Sequence, residues 1–207
     1  MEGIVEAKGS LAGILKLQCS LTKGETIAYL VQANLQEAQL SAANLQKAYL
    51  YEANLQAAFL ESANLQETDL TIANLQETSL IRANLQGASL YGANLQGAFL
   101  QIANLQGAFL YNANFQQANL KEANLQGAIA LQTDFSDVKG LELSQLDSAY
   151  VCAPILPEGF QIDLTRDCKA LPSILVERIP YRFSTEQEAQ EAIETIIENV
   201  LQGQKQN

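Results

Sequence analysis

Ala83-Asn84-Leu85-Gln86-Gly87 is followed by Ala88-Ser89-Leu90-Tyr91-Gly92, and then by Ala93-Asn94-Leu95-Gln96-Gly97. The same five-residue form, Ala-x-Leu-x-x, extends outward in both directions. Units centred on Leu30 through Phe135 number 22. The first position is Ala in 19 of them and Thr in three, Thr68, Thr78 and Thr133. The centre is Leu in 19, Phe at Phe115 and Phe135, and Ala at Ala130. A repeat this strict must be explained before anything else in the chain.

Two regular structures fail at once. Five residues advance an α-helix by roughly 500°, so the Leu positions would spiral around every side of the rod. A long strand alternates with period two, and five is odd, so its facing would flip at each unit. A short strand followed by a turn resolves both. Ala and Leu, two apart, point inward together, and the next two residues turn the corner. The chain then coils around a Leu core, and each layer hydrogen-bonds to the one before.

Units such as Ala33-Asn34-Leu35-Gln36-Glu37 and Ala83-Asn84-Leu85-Gln86-Gly87 resemble those of the pentapeptide-repeat proteins, over about residues 28–140. The resemblance implies an all-β fold: a right-handed quadrilateral β-helix with four units per coil, here about 5.5 coils. The style of the repeats is similar to cyanobacterial members of that family.

With four units per coil, every twentieth residue returns to the same side. Two opposite sides then carry Asn before the core Leu. One has Asn34, Asn54, Asn74, Asn94 and Asn114, ending in Asp134; the other has Asn44, Asn64, Asn84, Asn104 and Asn124. These are expected to be structural amide ladders, since an amide can donate to one neighbour and accept from the next. Stacked carboxylates would instead repel by roughly 0.9 kcal/mol per pair even in water. A third side is aromatic. Tyr49, Tyr51, Tyr91, Phe109 and Tyr111 project from it, with Tyr29 and Val31 at its start and Ile129 and Leu131 at its end. Such a stripe either anchors a partner or is covered by the chain's own terminal segments. The side opposite has fewer apolar residues, with Phe59 and Phe99 prominent.

A solenoid needs caps at both ends to hide open edges. Residues 1–27 are expected to be the N-terminal cap, with Ile4, Ala7, Leu11, Ile14 and Leu15 suggesting a helix weakened by glycines. Residues 141–183 are expected to hold the C-terminal cap, a short helix over 143–150, and an irregular segment over 161–183 containing Pro172 and Pro180. Ser184-Thr185-Glu186-Gln187 reads as a capping box. Behind it Ala189, Ile193, Ile196, Ile197, Val200 and Leu201 predict an amphipathic helix within 184–202. Its apolar stripe either docks on the rod or pairs with a second copy as a homodimer.

Composition narrows the function. The net charge is −11 and His is absent. The charge disfavours direct nucleic-acid or anionic-membrane binding. Without His the commonest acid/base group and metal ligand are missing. Cys19, Cys152 and Cys168 show no metal-binding spacing, and the reading is ordinary reduced thiols in a cytoplasmic protein, with Cys152 and Cys168 the one pair that could join. The N-terminus lacks a basic region and reads as neither signal peptide nor membrane span. There is no phosphate-loop or dinucleotide motif, so neither enzyme activity nor a cofactor is expected.

Some members of the resembled family mimic DNA and bind topoisomerases, and an acidic rod raises that alternative here. Between Ala28 and Asp137, however, nine acidic residues face three basic ones, and ten of eleven ladder positions are Asn. The expectation is a non-catalytic module that binds another protein through its aromatic side.

Overall fold

A computed structural model describes residues 18–22, 25–163, 165–178 and 183–204, with side chains described from Ile27 to Glu198 apart from those at 164 and 178–182. The helix suggested over residues 4–15 lies outside them. The described chain opens with an antiparallel pair, β1 (Gln18–Thr22) and β2 (Glu25–Tyr29). From Tyr29 onward, parallel bridges link each residue before a core position to the residue twenty further on: Tyr29 to Tyr49, Asn34 to Asn54, Gln39 to Phe59, Asn44 to Asn64, and so along the rod to Lys139. Four bridge columns per turn of twenty residues give the coil four sides.

The backbone of one unit shows why five residues suffice. Asn84 N–H donates to Ala63 O of the preceding layer at 2.9 Å. Leu85 and Gly87 donate forward to Asn104 O (2.7 Å) and Gln106 O (2.9 Å), and Ala88 closes the turn on Leu85 O at 3.0 Å. The fifth donor, Gln86 N–H, is taken by the Asn84 side-chain Oδ1 at 3.2 Å. All five amide protons from Asn84 to Ala88 are therefore satisfied, as a tightly wound chain requires. The Asn side chain also joins the ladder. Its Nδ2 donates to Asn64 Oδ1 (3.3 Å), and its Oδ1 accepts from Asn104 Nδ2 (3.2 Å). Asn44 through Asn124 are linked this way without a break.

Each corner places its second residue in the left-handed region, at every fifth position from Gln32 to Asp137. Glycine holds five of these corners, including Gly87 (φ 66°), where the conformation costs nothing sterically. Ile72 (φ 57°) and Ile102 (φ 61°) are the costly cases, because a branched Cβ crowds the carbonyl there. Ile102 is also half exposed, so burial offsets little of that cost. Replacing Ile102 by Asn, which tolerates this region, should raise stability by about 1 kcal/mol, read from the urea midpoint. An unchanged or lower midpoint would show that the corner carries no strain.

Inside, Ala and Leu of successive layers form one continuous core with near-zero exposure from Ala48 to Ala118. Thr68, Thr78 and Thr133 replace the inward Ala yet remain buried. Each hydroxyl donates to a Leu carbonyl of the preceding layer (Leu45, Leu55 and Leu110) at 2.7–2.8 Å. Phe115 and Phe135 pack at a tilt, with ring centres 5.4 Å apart, and fill the C-terminal end.

The far end is closed by several devices. Helix α1 (Leu143–Asp147) brings Gln145 over the last coil, where its Nε2 donates to Leu120 O (3.0 Å) and Ala123 O (2.8 Å). Its Oε1 accepts from Glu142 N–H, which begins the helix. Next, β4 (Tyr150–Cys152) adds in parallel to β3 (Ile129–Leu131). Arg166 ties this junction together. Its Nη2 donates to Leu146 O and Ala149 O, and its Nε pairs with Asp167, whose carboxylate accepts from Val151 N–H.

Three expectations for this region need correction. The segment 161–183 is not irregular throughout: a 3₁₀ turn (Cys168–Ala170) runs into α2 (Leu171–Arg178). Pro172 is tolerated because it sits in the first turn, where its missing N–H has no helical partner to lose. The cap of α3 (Glu186–Gln204) is shifted by one residue. Thr185 Oγ1 accepts from Glu188 N–H, and Glu188 in turn accepts from Ser184. The Ser184 hydroxyl and amide hold the Glu188 carboxyl below its ordinary range. Finally, Cys152 and Cys168 are not free thiols but a disulfide. β4 and the returning chain meet at the Val151–Asp167 contact, which sets their Cα atoms 5.0 Å apart, within bridging distance.

Candidate interaction surface

The aromatic side proves to be two surfaces. Its C-terminal half is covered. Phe109, Tyr111, Ile129 and Leu131 are buried in a second apolar cluster with Leu171 and Leu175 of α2, Phe183, and Ala189, Ile193 and Ile196 of α3, and Tyr91 packs against its edge. Within it the Tyr91 and Tyr111 rings lie 5.1 Å apart, and Phe109 meets Tyr111 edge-on at 6.2 Å. Phe109 (6% exposed) and Tyr111 (9%) therefore cannot serve as open anchors in this state, and of the two expected alternatives, partner anchor or self-cover, this half takes the second. The described part of the α3 stripe is used within the chain; the side chains of Val200 and Leu201 lie outside the described residues.

The N-terminal half is open. Tyr29 and Tyr49 stack nearly parallel, with ring centres 5.0 Å apart, and each keeps 41% of its surface exposed. Val31 beside them is half exposed. Tyr51 is half-buried and hydrogen-bonds the Glu52 carboxylate, which raises its hydroxyl pKa above the ordinary value. Glu52 is held below its own by Gln32, which donates at 2.7 Å, and by Tyr51. Between the halves, Thr71 and Ser89 share a hydroxyl bond of 2.9 Å. Tyr29 and Val31 belong to this open surface although sequence reading centred the site further along. The signal was there, since Tyr29 stands one layer from Tyr49 in the same column.

Elsewhere the exterior offers less. Phe59 and Phe99 are exposed on the opposite side, two layers apart and separated by Ser79. A shallow groove follows the corner at Gly87, Gly107 and Gly127, walled by Gln66, Gln86, Gln106 and Gln126 and ended by Tyr150. Among the described residues no cluster could hold a metal ion, and no helix is long and apolar enough to cross a membrane. The two Asp residues found at bridge positions, Asp69 and Asp134, lie on different sides, so no carboxylate row forms.

A family profile for pentapeptide repeats matches residues 33–71, 71–101 and 102–139, in eight copies. The chain belongs to the pentapeptide-repeat family. Membership in the pentapeptide-repeat family implies a right-handed β-helix, in keeping with the four-sided coil. Among solved structures, HetL, a pentapeptide repeat protein involved in heterocyst differentiation regulation in the cyanobacterium Nostoc sp. strain PCC 7120, is 26% identical. That match covers 65% of this chain and 78% of HetL, with a TM-score of 0.38. The pentapeptide repeat protein Rfr23 of the cyanobacterium Cyanothece 51142 is 45% identical over 47% of this chain and 60% of its own, with a TM-score of 0.34. A pentapeptide repeat protein of the Arabidopsis thaliana thylakoid lumen is 27% identical over 58% of this chain and 75% of its own, with a TM-score of 0.40. No curated protein matches significantly.

Proposed function

We propose that this pentapeptide-repeat protein is a non-catalytic interaction module, a rigid β-helix that presents Tyr29, Val31, Tyr49 and Tyr51 to a partner protein. The observation that carries the reading is the stacked Tyr29–Tyr49 pair, left open on a side whose other half is covered. Stacked rings on a fixed β-helix lose little freedom on binding, and aromatic anchors of this kind dominate binding energy at interfaces. The buried disulfide favours folding in an oxidising compartment over a cytosolic setting.

Capture from source lysate should compare wild type with a Tyr29→Ser/Tyr49→Ser/Tyr51→Ser variant and with a Phe59→Ser/Phe99→Ser control. One protein should be held by wild type and control, and bound at least about 30-fold more weakly by the Tyr variant at unchanged melting temperature. Equal retention by the Tyr variant, or loss only in the Phe control, would overturn it.

A further inference from the structure

The covered half of the aromatic side is held by an element that the repeats do not require. The last named strand of the solenoid is β4, which ends at Cys152, and the pairing with the rod runs on to Ile155, bridged to Asp134. Cys168 opens the 3₁₀ turn that passes directly into α2 at Leu171. The disulfide thus bolts the root of the α2–α3 pair to the last strand of the rod, across a sequence separation of 16 residues. Beyond that root, α2 and α3 pack on the rod through one apolar cluster. The rod itself is a separate core, whose layers are hydrogen-bonded to one another and capped by Gln145 and Arg166.

We propose that the Cys152–Cys168 disulfide is a latch on the α2–α3 cover, and that its reduction uncovers Tyr91, Phe109, Tyr111, Ile129 and Leu131 while the β-helix stays folded. The reductant is a dithiol. One of its thiolates attacks a protein sulfur, forming a mixed disulfide and releasing the other cysteine as a thiolate. Its second thiol then attacks the mixed disulfide. Two electrons and two protons pass to Cys152 and Cys168, and the reductant leaves as a disulfide. Both cysteines are buried, at 0% and 1% exposure, so attack must await a transient opening at this junction. That makes the latch slow to release and insensitive to brief exposure to thiols. Closing a loop of this length favours the docked state by at most on the order of a hundredfold, an upper bound because the Asp167–Val151 contact and Arg166 already hold the ends of the loop together. The proposal concerns the covered half alone and does not depend on any partner at the Tyr49 end.

The test compares three forms of the full chain: oxidised, reduced with dithiothreitol, and a Cys152→Ser/Cys168→Ser variant without reductant. Amide hydrogen exchange is followed in residues 171–204 and in the rod over 45–125, together with binding of an anilinonaphthalene sulfonate dye. The expected result is that amides of α2 and α3 lose more than about tenfold and up to about a hundredfold in protection in both disulfide-free forms, with a rise in dye binding, while rod amides keep theirs. Three outcomes would overturn it: cover protection unchanged within a few fold in either disulfide-free form, loss of dye binding with opening, or rod amides losing protection in parallel. The last would make the bond a staple of the whole fold.

Discussion

Leu85→Ala is expected to lower the stability of the protein by about 3–4 kcal/mol, seen as a lower urea midpoint with the same circular dichroism at zero denaturant. Leu85 is fully buried, with Leu65 and Leu105 in the layers on either side. A core built of one inward Leu per side in each layer cannot collapse around the gap. Its walls are fixed by backbone bonds between layers, such as Leu85 N–H to Asn104 O at 2.7 Å. The cavity therefore persists, and its cost adds to the lost transfer energy of the side chain. The same change at Leu35, which is 6% exposed near the start of the rod, should cost less than about half as much, because the first layer can fray without the rest. Equal costs at the two sites would mean that the rod unfolds only as a whole.

The second large effect is expected at Arg166, outside the repeats but at the closed end of the rod. Its guanidinium donates to Leu146 O at 3.0 Å and Ala149 O at 2.7 Å, and pairs with Asp167 at 2.8 Å. Asp167 in turn accepts from Val151 N–H. Arg166→Ala leaves two carbonyls and a carboxylate short of donors, at a cost of about 2 kcal/mol once partial exposure is allowed for. The larger consequence is at the edge. If β4 loosens from β3, the last coil presents unpaired strand groups, which invite end-to-end association. Light scattering of the variant should show association rising with concentration, while the wild type stays constant. A variant that melts and scatters like wild type would show that Gln145 and the disulfide close the end alone.

The rod was legible in the sequence because its rule is local. Ala and Leu two apart, repeated every five residues, determine which side chains point inward whatever the rest of the chain does. The Asn ladders followed from the same count. What that reading lacked was the second task of Asn84, whose Oδ1 also holds the one amide its unit leaves over, Gln86 N–H. The spacing that reveals it, an Asn two residues before an unpaired donor, is the ordinary Asx pattern. The cover was legible only as an alternative. The docking of Ala189, Ile193 and Ile196 onto Phe109 and Tyr111 joins segments some eighty residues apart with no shared period. Both the stripe on the rod and the stripe on the helix could be seen, and their mutual docking was one of two alternatives for each, but nothing in the sequence chose between them. The disulfide escaped for a related reason: a gap of sixteen residues says nothing about where the chain returns until β4 and the Asp167 contact are in place.

The count of twenty between stacked residues also sets how the molecule can change. Tyr91 and Tyr111 touch, at 5.1 Å, because they stand twenty apart. Four extra units inserted after Gly97 would lengthen the rod by one layer, about 4.8 Å, and leave the two tyrosines in line along the same side. A single extra unit there would swing everything beyond it through a quarter turn. Tyr111, Phe109 and the cover would then point one way and Tyr91 another. Reach and heading are thus set by one number: insertions in multiples of twenty residues alter only how far the rod extends, while other multiples of five alter where its far end aims.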